Sequence, residues 1–139
     1  MKKLIVLLLI FSFGCSKDTP NNNPYLPNYG FSFELNLSLP SNNQLLYTGN
    51  GVYINTPGVG VRGIFVFNAG NENYVAWDAA CPNQPLEACS TMTKNGVNAV
   101  CPCDDAEYSL FTGLSAGKQY AMKAYRVQKI GTTALRIYN

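Results

Sequence analysis

Gly63-Ile64-Phe65-Val66-Phe67-Asn68, then Ala69-Gly70-Asn71-Glu72-Asn73, then Tyr74-Val75-Ala76-Trp77-Asp78: this stretch decides the fold. The first run is rich in β-branched and aromatic residues and almost wholly apolar, which predicts a buried strand. The Gly/Asn segment turns it, and the third run returns as its neighbour. Outward from this pair, Phe31, Phe33, Leu35, Leu37 and Leu39 alternate with Ser32, Glu34, Asn36 and Ser38, one apolar face at period two. Leu45 to Tyr47, Gly49-Asn50-Gly51 and Val52 to Asn55 read as a hairpin, and Thr56-Pro57-Gly58 breaks the chain. Ala121 to Ile130, Gly131-Thr132 and Thr133 to Tyr138 predict a closing hairpin. No helical stripe competes with these signals. The expected fold is all-β, a small sandwich or barrel of short antiparallel strands forming one domain over residues 29–139.

The N-terminus reads as an address. Lys2-Lys3, the apolar run Leu4 to Phe11 and the small residues before Cys15 make residues 1–14 a bacterial signal peptide. The run is too short to span a membrane permanently. Gly14-Cys15 matches a lipobox, so Cys15 is the expected acylated N-terminus, although Ser12 stands where that pattern prefers Leu, Val or Ile. Acyl chains anchor by burying methylenes, roughly 0.8 kcal/mol each. Residues 15–28 are polar and rich in Asn and Pro, and read as a tether. Ser16 rather than Asp follows Cys15, which implies sorting to the outer membrane; Lys17-Asp18 resembles the surface-export signal of Bacteroidetes lipoproteins. The expected location is the cell envelope, on the periplasmic or the outer face, with the membrane as partner through the lipid.

Composition removes several classes of function. The chain has ten basic residues against eight acidic ones, and loss of Lys2 and Lys3 leaves the two in balance. A neutral chain without a basic cluster is a poor ligand for nucleic acid. There is no histidine. That excludes imidazole general acid–base work, Ser-His or Cys-His nucleophile pairs and His metal ligands.

Four cysteines remain after Cys15: Cys81, Cys89, Cys101 and Cys103. An even number in an exported chain is first a disulfide framework. A Cys101–Cys103 bridge is disfavoured on an extended chain, where neighbours two apart face opposite ways. The remaining pairings both join the Cys81–Cys89 loop to the Cys101–Cys103 loop.

Val75-Ala76-Trp77-Asp78-Ala79-Ala80-Cys81-Pro82 and Val100-Cys101-Pro102-Cys103-Asp104-Asp105-Ala106-Glu107-Tyr108-Ser109 resemble the two cluster-binding loops of Rieske domains. The closing Ala121 to Val127 is similar to that family's last strands, and the likeness spans roughly residues 60–139. Rieske loops read Cys-x-His and Cys-Pro-x-His-Gly-Ser, two thiolates on one iron and two imidazoles on the other. Carried over, Cys81 and Cys101 take the thiolate positions, and the imidazole positions fall on Asn83 and Asp104. The Gly and Ser that follow become Asp105 and Ala106. Cys103 and Cys89 resemble the extra pair with which some Rieske proteins tie the loops together, although the spacing of eight from Cys81 to Cys89 is longer than usual. The resemblance therefore implies Cys81–Cys101 and Cys89–Cys103 disulfides, no metal and no cofactor, in a non-enzymatic, monomeric structural or binding module.

Other readings use the same residues. A 2Fe–2S electron carrier serving an oxidoreductase would keep its cluster in the region of Cys81, Asn83, Cys101 and Asp104. As a four-thiolate site for zinc or iron–sulfur, the cysteines have the wrong spacing, C-x7-C and C-x-C instead of C-x2-C knuckles. Cys-Pro-Cys as a thiol–disulfide exchange motif is opposed by Asp104, Asp105 and Glu107, whose charge should raise a thiol pKa. Trp77, Tyr108, Tyr120 and Tyr125 would supply a binding module with an aromatic face, and Asn83, Asp104 and Asp105 would offer oxygens to calcium. No feature identifies a protein or small-molecule partner.

Overall fold

The computed structural model describes residues 23–139, and the signal peptide and Cys15 lie outside the described residues. The described chain is all-β apart from one 3-10 turn, Asn43–Leu46. Nine strands run in chain order: β1 Ser32–Asn36, β2 Gly51–Ile54, β3 Ile64–Gly70, β4 Asn73–Asp78, β5 Thr93–Asn95, β6 Asn98–Val100, β7 Glu107–Ser109, β8 Ala124–Ile130 and β9 Ala134–Tyr138. Six form an antiparallel sheet in the order β1-β9-β8-β4-β3-β2, and β5-β6-β7 form a smaller one. One cysteine loop connects β4 to β5 and the other connects β6 to β7.

The central stretch behaves as its composition demands. Ile64 to Asn68 is buried throughout, because alternate side chains enter two different cores. Ile64 and Val66 join Leu35, Leu45, Leu135 and Ile137 on one face. Phe65 and Phe67 join Met92, Tyr108, Leu110 and both Cys81 and Cys101 on the other. One strand thus welds the large sheet to the disulfide-bearing layer. At about 25 cal/mol per Å² of apolar surface removed from water, each of these large side chains contributes on the order of 2 kcal/mol.

Three expectations change on contact with the structure. Leu45–Tyr47 does not pair with Val52–Asn55. Asn43–Leu46 coils instead, Leu45 is fully buried, and its carbonyl accepts Asn68 Nδ2 at 2.8 Å; β2 then pairs with β3, Gly51 opposite Phe67. The alternation from Phe31 ends early: Leu37 is buried but Leu39 is 49% exposed, since Asn36 Oδ1 takes the Ser38 N–H and turns the chain. Residues 23–28, read as tether, pack on the domain. Leu26 is buried, Asn23 Nδ2 donates to the Pro82 carbonyl at 2.6 Å, and Asn28 Oδ1 accepts the buried Lys123 ammonium at 2.9 Å.

Candidate functional site

The first cysteine loop is an extension of β4. Ala80 bridges to Thr91, the Cys81 N–H donates to the Ser90 carbonyl at 2.8 Å and the Met92 N–H to that of Ala79 at 2.7 Å. Inside the loop, the buried Ser90 hydroxyl accepts the Glu87 N–H and donates to the Pro85 carbonyl. The second loop closes between β6 and β7. The Cys101 N–H donates to the Ala106 carbonyl and the Asp105 N–H to that of Cys101, both at 2.9 Å. Asp105 has a φ of 57°, so it occupies the left-handed region that favours glycine, at the position where the family pattern has one.

Two disulfides join the loops, Cys81–Cys101 with Cα atoms 5.7 Å apart and Cys89–Cys103 with 5.1 Å. The first lies in the core, its cysteines 1% and 0% exposed, while Cys89 and Cys103 are half-buried. The turn at Cys101 brings the Cys103 sulfur to the same side, and the Cys81, Cys101 and Cys103 sulfurs lie within 4.8 Å of one another. The extended-chain argument against a Cys101–Cys103 approach therefore does not apply in this turn. Cys89 Sγ, bonded to Cys103 Sγ, lies at the edge of this group.

Asn83 and Asp104, which the sequence resemblance aligns with imidazole positions, are both committed. Asn83 Nδ2 donates to the Tyr108 hydroxyl and to the Tyr120 carbonyl, each at 2.8 Å, and its Oδ1 accepts the Tyr120 N–H at 2.9 Å. Asp104 Oδ1 accepts the Ala106 N–H, and Oδ2 pairs with the Lys118 ammonium at 2.8 Å. Partial burial pushes the Asp104 carboxyl up, but the Lys118 and Ala106 hydrogen bonds outweigh it and hold the group below its ordinary value. Lys118 also offsets the negative charge expected to blunt a thiol here. As folded, the site offers no free thiolate and no imidazole. With the sulfurs paired to each other and an amide and a carboxylate held by protein partners, this donor set does not fit a 2Fe–2S cluster of thiolate and imidazole ligation.

The other candidates disperse. Tyr108 and Tyr125 are buried, Trp77 donates its indole N–H to the Leu110 carbonyl at 2.8 Å, and Tyr120 meets Tyr25 edge-on at 6.1 Å. No continuous aromatic face results among the described residues. Asn83 Oδ1 and Asp104 Oδ2 already hold protein partners, the Tyr120 N–H and the Lys118 ammonium.

One functional-looking residue escaped the sequence reading. Asp78, wholly buried, accepts the N–H groups of Val61, Arg62 and Ala80 and the Tyr125 hydroxyl, the last at 2.7 Å. It is a structural clamp between the 60–62 loop, β4 and β8. Its only local signal was an acidic residue ending an apolar strand.

No family model matches the chain, and no curated protein matches it. Among solved structures it is similar to the cyanobacterial plasma membrane Rieske protein PetC3 from Synechocystis, at 20% identity over 64% of this chain and 85% of that one, with a TM-score of 0.47. It is similar to the ferredoxin of carbazole 1,9a-dioxygenase from Nocardioides aromaticivorans, at 16% identity over 78% and 97%, TM-score 0.47. A chain from a complex of oxygenase and ferredoxin in carbazole 1,9a-dioxygenase matches at 16% identity over 66% and 82%, TM-score 0.45. Rieske protein, ferredoxin and oxygenase describe those molecules.

Proposed function

We propose that this protein is a cell-envelope lipoprotein, anchored through Cys15 in the outer membrane, whose Rieske-like β domain carries no iron–sulfur cluster and serves as a disulfide-held structural or binding module. It is not itself an enzyme. The observation that supports this is the fate of the ligand positions: two sulfurs bonded to each other, an amide holding Tyr108 and Tyr120, and a carboxylate holding Lys118. Iron needs thiolate and imidazole donors there, and this arrangement leaves neither. The anchoring rests on the lipobox residues and the polar segment after them.

Protein isolated from its native host tests the domain reading by visible absorption, iron content and a thiol count in denaturant. The expected result is no visible band, no iron and no free thiol among Cys81, Cys89, Cys101 and Cys103. A coloured, iron-loaded sample overturns it and restores the electron-carrier alternative. Cys15→Ser tests the anchor: the variant should lose its acyl chains, and a chain still acylated and in the membrane fraction contradicts it.

A further inference from the structure

We propose that the three-sulfur group of Cys81, Cys101 and Cys103 is an internal thiol–disulfide exchange site, reached by a dithiol reductant through the outer Cys89–Cys103 bridge. This rests on the disulfide-bonded reading above. The two bridges differ in access: Cys89 and Cys103 are half-buried beside the exposed segment 85–88, whereas Cys81 and Cys101 are sealed in the core. A dithiol therefore meets the outer bridge first.

The chemistry closes without any further oxidant. One thiolate of the dithiol attacks Cys89 Sγ, forming a mixed disulfide and breaking the Cys89–Cys103 bond, whose electron pair leaves on Cys103 Sγ. The second thiolate of the dithiol attacks its own half of the mixed disulfide. It leaves as a disulfide, and Cys89 is released as a thiol. Two electrons have passed from the dithiol to the protein. Cys103 now lies within 4.8 Å of both sulfurs of the inner bridge. Its thiolate attacks Cys81 Sγ, a Cys81–Cys103 bond forms, the Cys81–Cys101 bond breaks, and the pair goes to Cys101 Sγ. This second exchange involves no net oxidation or reduction.

The surroundings favour Cys101 as the leaving sulfur. Gln84 Nε2 lies 3.5 Å from Cys101 Sγ and donates to it, so a thiolate there has a hydrogen bond waiting. Among the described residues Cys103 Sγ has only the Ser90 hydroxyl at 3.8 Å, whose own proton goes to the Pro85 carbonyl. Lys118, held 2.8 Å from Asp104, offsets the adjacent carboxylate that would otherwise oppose a thiolate in this loop. The reducing pair thus moves inward, from Cys89 and Cys103 to Cys89 and Cys101.

The experiment begins with the air-purified protein, counted for thiols and iron before treatment. Free thiols or iron at that point overturn the disulfide reading, and this proposal with it. With none present, dithiothreitol is added in limiting amount, aliquots are quenched in acid and alkylated, and fragment mass spectra locate the label. The expected one-bridge species carries label first on Cys89 and Cys103, then increasingly on Cys89 and Cys101. Label that stays on Cys89 and Cys103 overturns the exchange while leaving the disulfide reading intact. Label appearing first on Cys81 and Cys101 overturns the order of access. Cys89→Ser, which leaves Cys103 unpaired and the inner bridge in place, should distribute one thiol between Cys103 and Cys101; a thiol confined to Cys103 contradicts the proposal. Adding Gln84→Leu to that variant should lower the Cys101-labelled share about tenfold, the value of a hydrogen bond to a charged group. An unchanged share removes Gln84 from the exchange.

Discussion

Asn83, aligned by resemblance with an imidazole ligand, makes a structural bracket instead. A short amide there satisfies the hydroxyl of a buried tyrosine and both backbone groups of Tyr120, which ties the first cysteine loop to the segment before β8. Asn83→Ala leaves these groups without partners and should cost about 1–3 kcal/mol, read as a shift in the urea midpoint. An unchanged midpoint would mean that the bracket carries no energy. Three tyrosines give the molecule an alkaline limit. Burial raises the pKa of Tyr125, and the Asp78 charge and hydrogen bond raise it further. Burial likewise raises Tyr108, despite the Asn83 hydrogen bond that lowers it, and Tyr53. A folded pKa above the unfolded one means the folded state keeps a proton that the unfolded chain gives up. The stabilisation is complete below about pH 10 and is lost as pH rises beyond it. Unfolding should become easier above that pH, with phenolate absorbance from the buried Tyr108 and Tyr125 rings appearing together with loss of structure. Full phenolate absorbance before any unfolding would contradict this. At this scale the sequence was legible for the cysteines and for the absent histidines. It was not legible for Asp78 or Lys123, most of whose partners lie far along the chain.

Strands that carry hydrophobic pattern were readable, and strands that do not were missed. β3, β4, β8 and β9 follow from apolar runs and turns, and β1 from its alternation. β5, β6 and β7 have three residues each, and β5 is exposed throughout. Their pairing is imposed by the two disulfides and by the core beneath Tyr108 and Ala99, contacts that no local window contains. The hairpin expected from Leu45 failed for the opposite reason: its turn chemistry was sound, but burying Leu45 in the core with Leu35 and Ile137 outweighed it. The connection after β7 holds a contact of the same non-local kind. Gly113 has a φ of 73°, and a Cβ there would meet the Trp77 ring at 2.6 Å. Gly113→Ala should therefore destabilise by about 2–3 kcal/mol, combining left-handed strain with displacement of the indole. Trp77 is the single tryptophan, so its fluorescence reports the shift directly. A variant with wild-type emission and midpoint would show that the ring moves aside freely.

Over the whole molecule, the disulfides close loops with sequence separations of 20 and 14 residues around one of two cores. Each should contribute on the order of 3 kcal/mol by restricting the unfolded chain. Cys81→Ala with Cys101→Ala should be the more damaging pair, by about 1–2 kcal/mol over Cys89→Ala with Cys103→Ala, because it also empties space in the core. Equal losses in denaturant melts would argue that the inner bridge is merely a link. Both cores meet at β3, so loosening the cysteine layer should be felt across the large sheet.

The central claim is that sulfur is bonded to sulfur where a Rieske domain bonds sulfur to iron. Native mass spectrometry of the domain from its own host, isolated without air or reductant, tests it most directly. The account predicts a single species lighter than the reduced chain by the four hydrogens that two disulfides remove. A species heavier by two irons and two sulfides contradicts it.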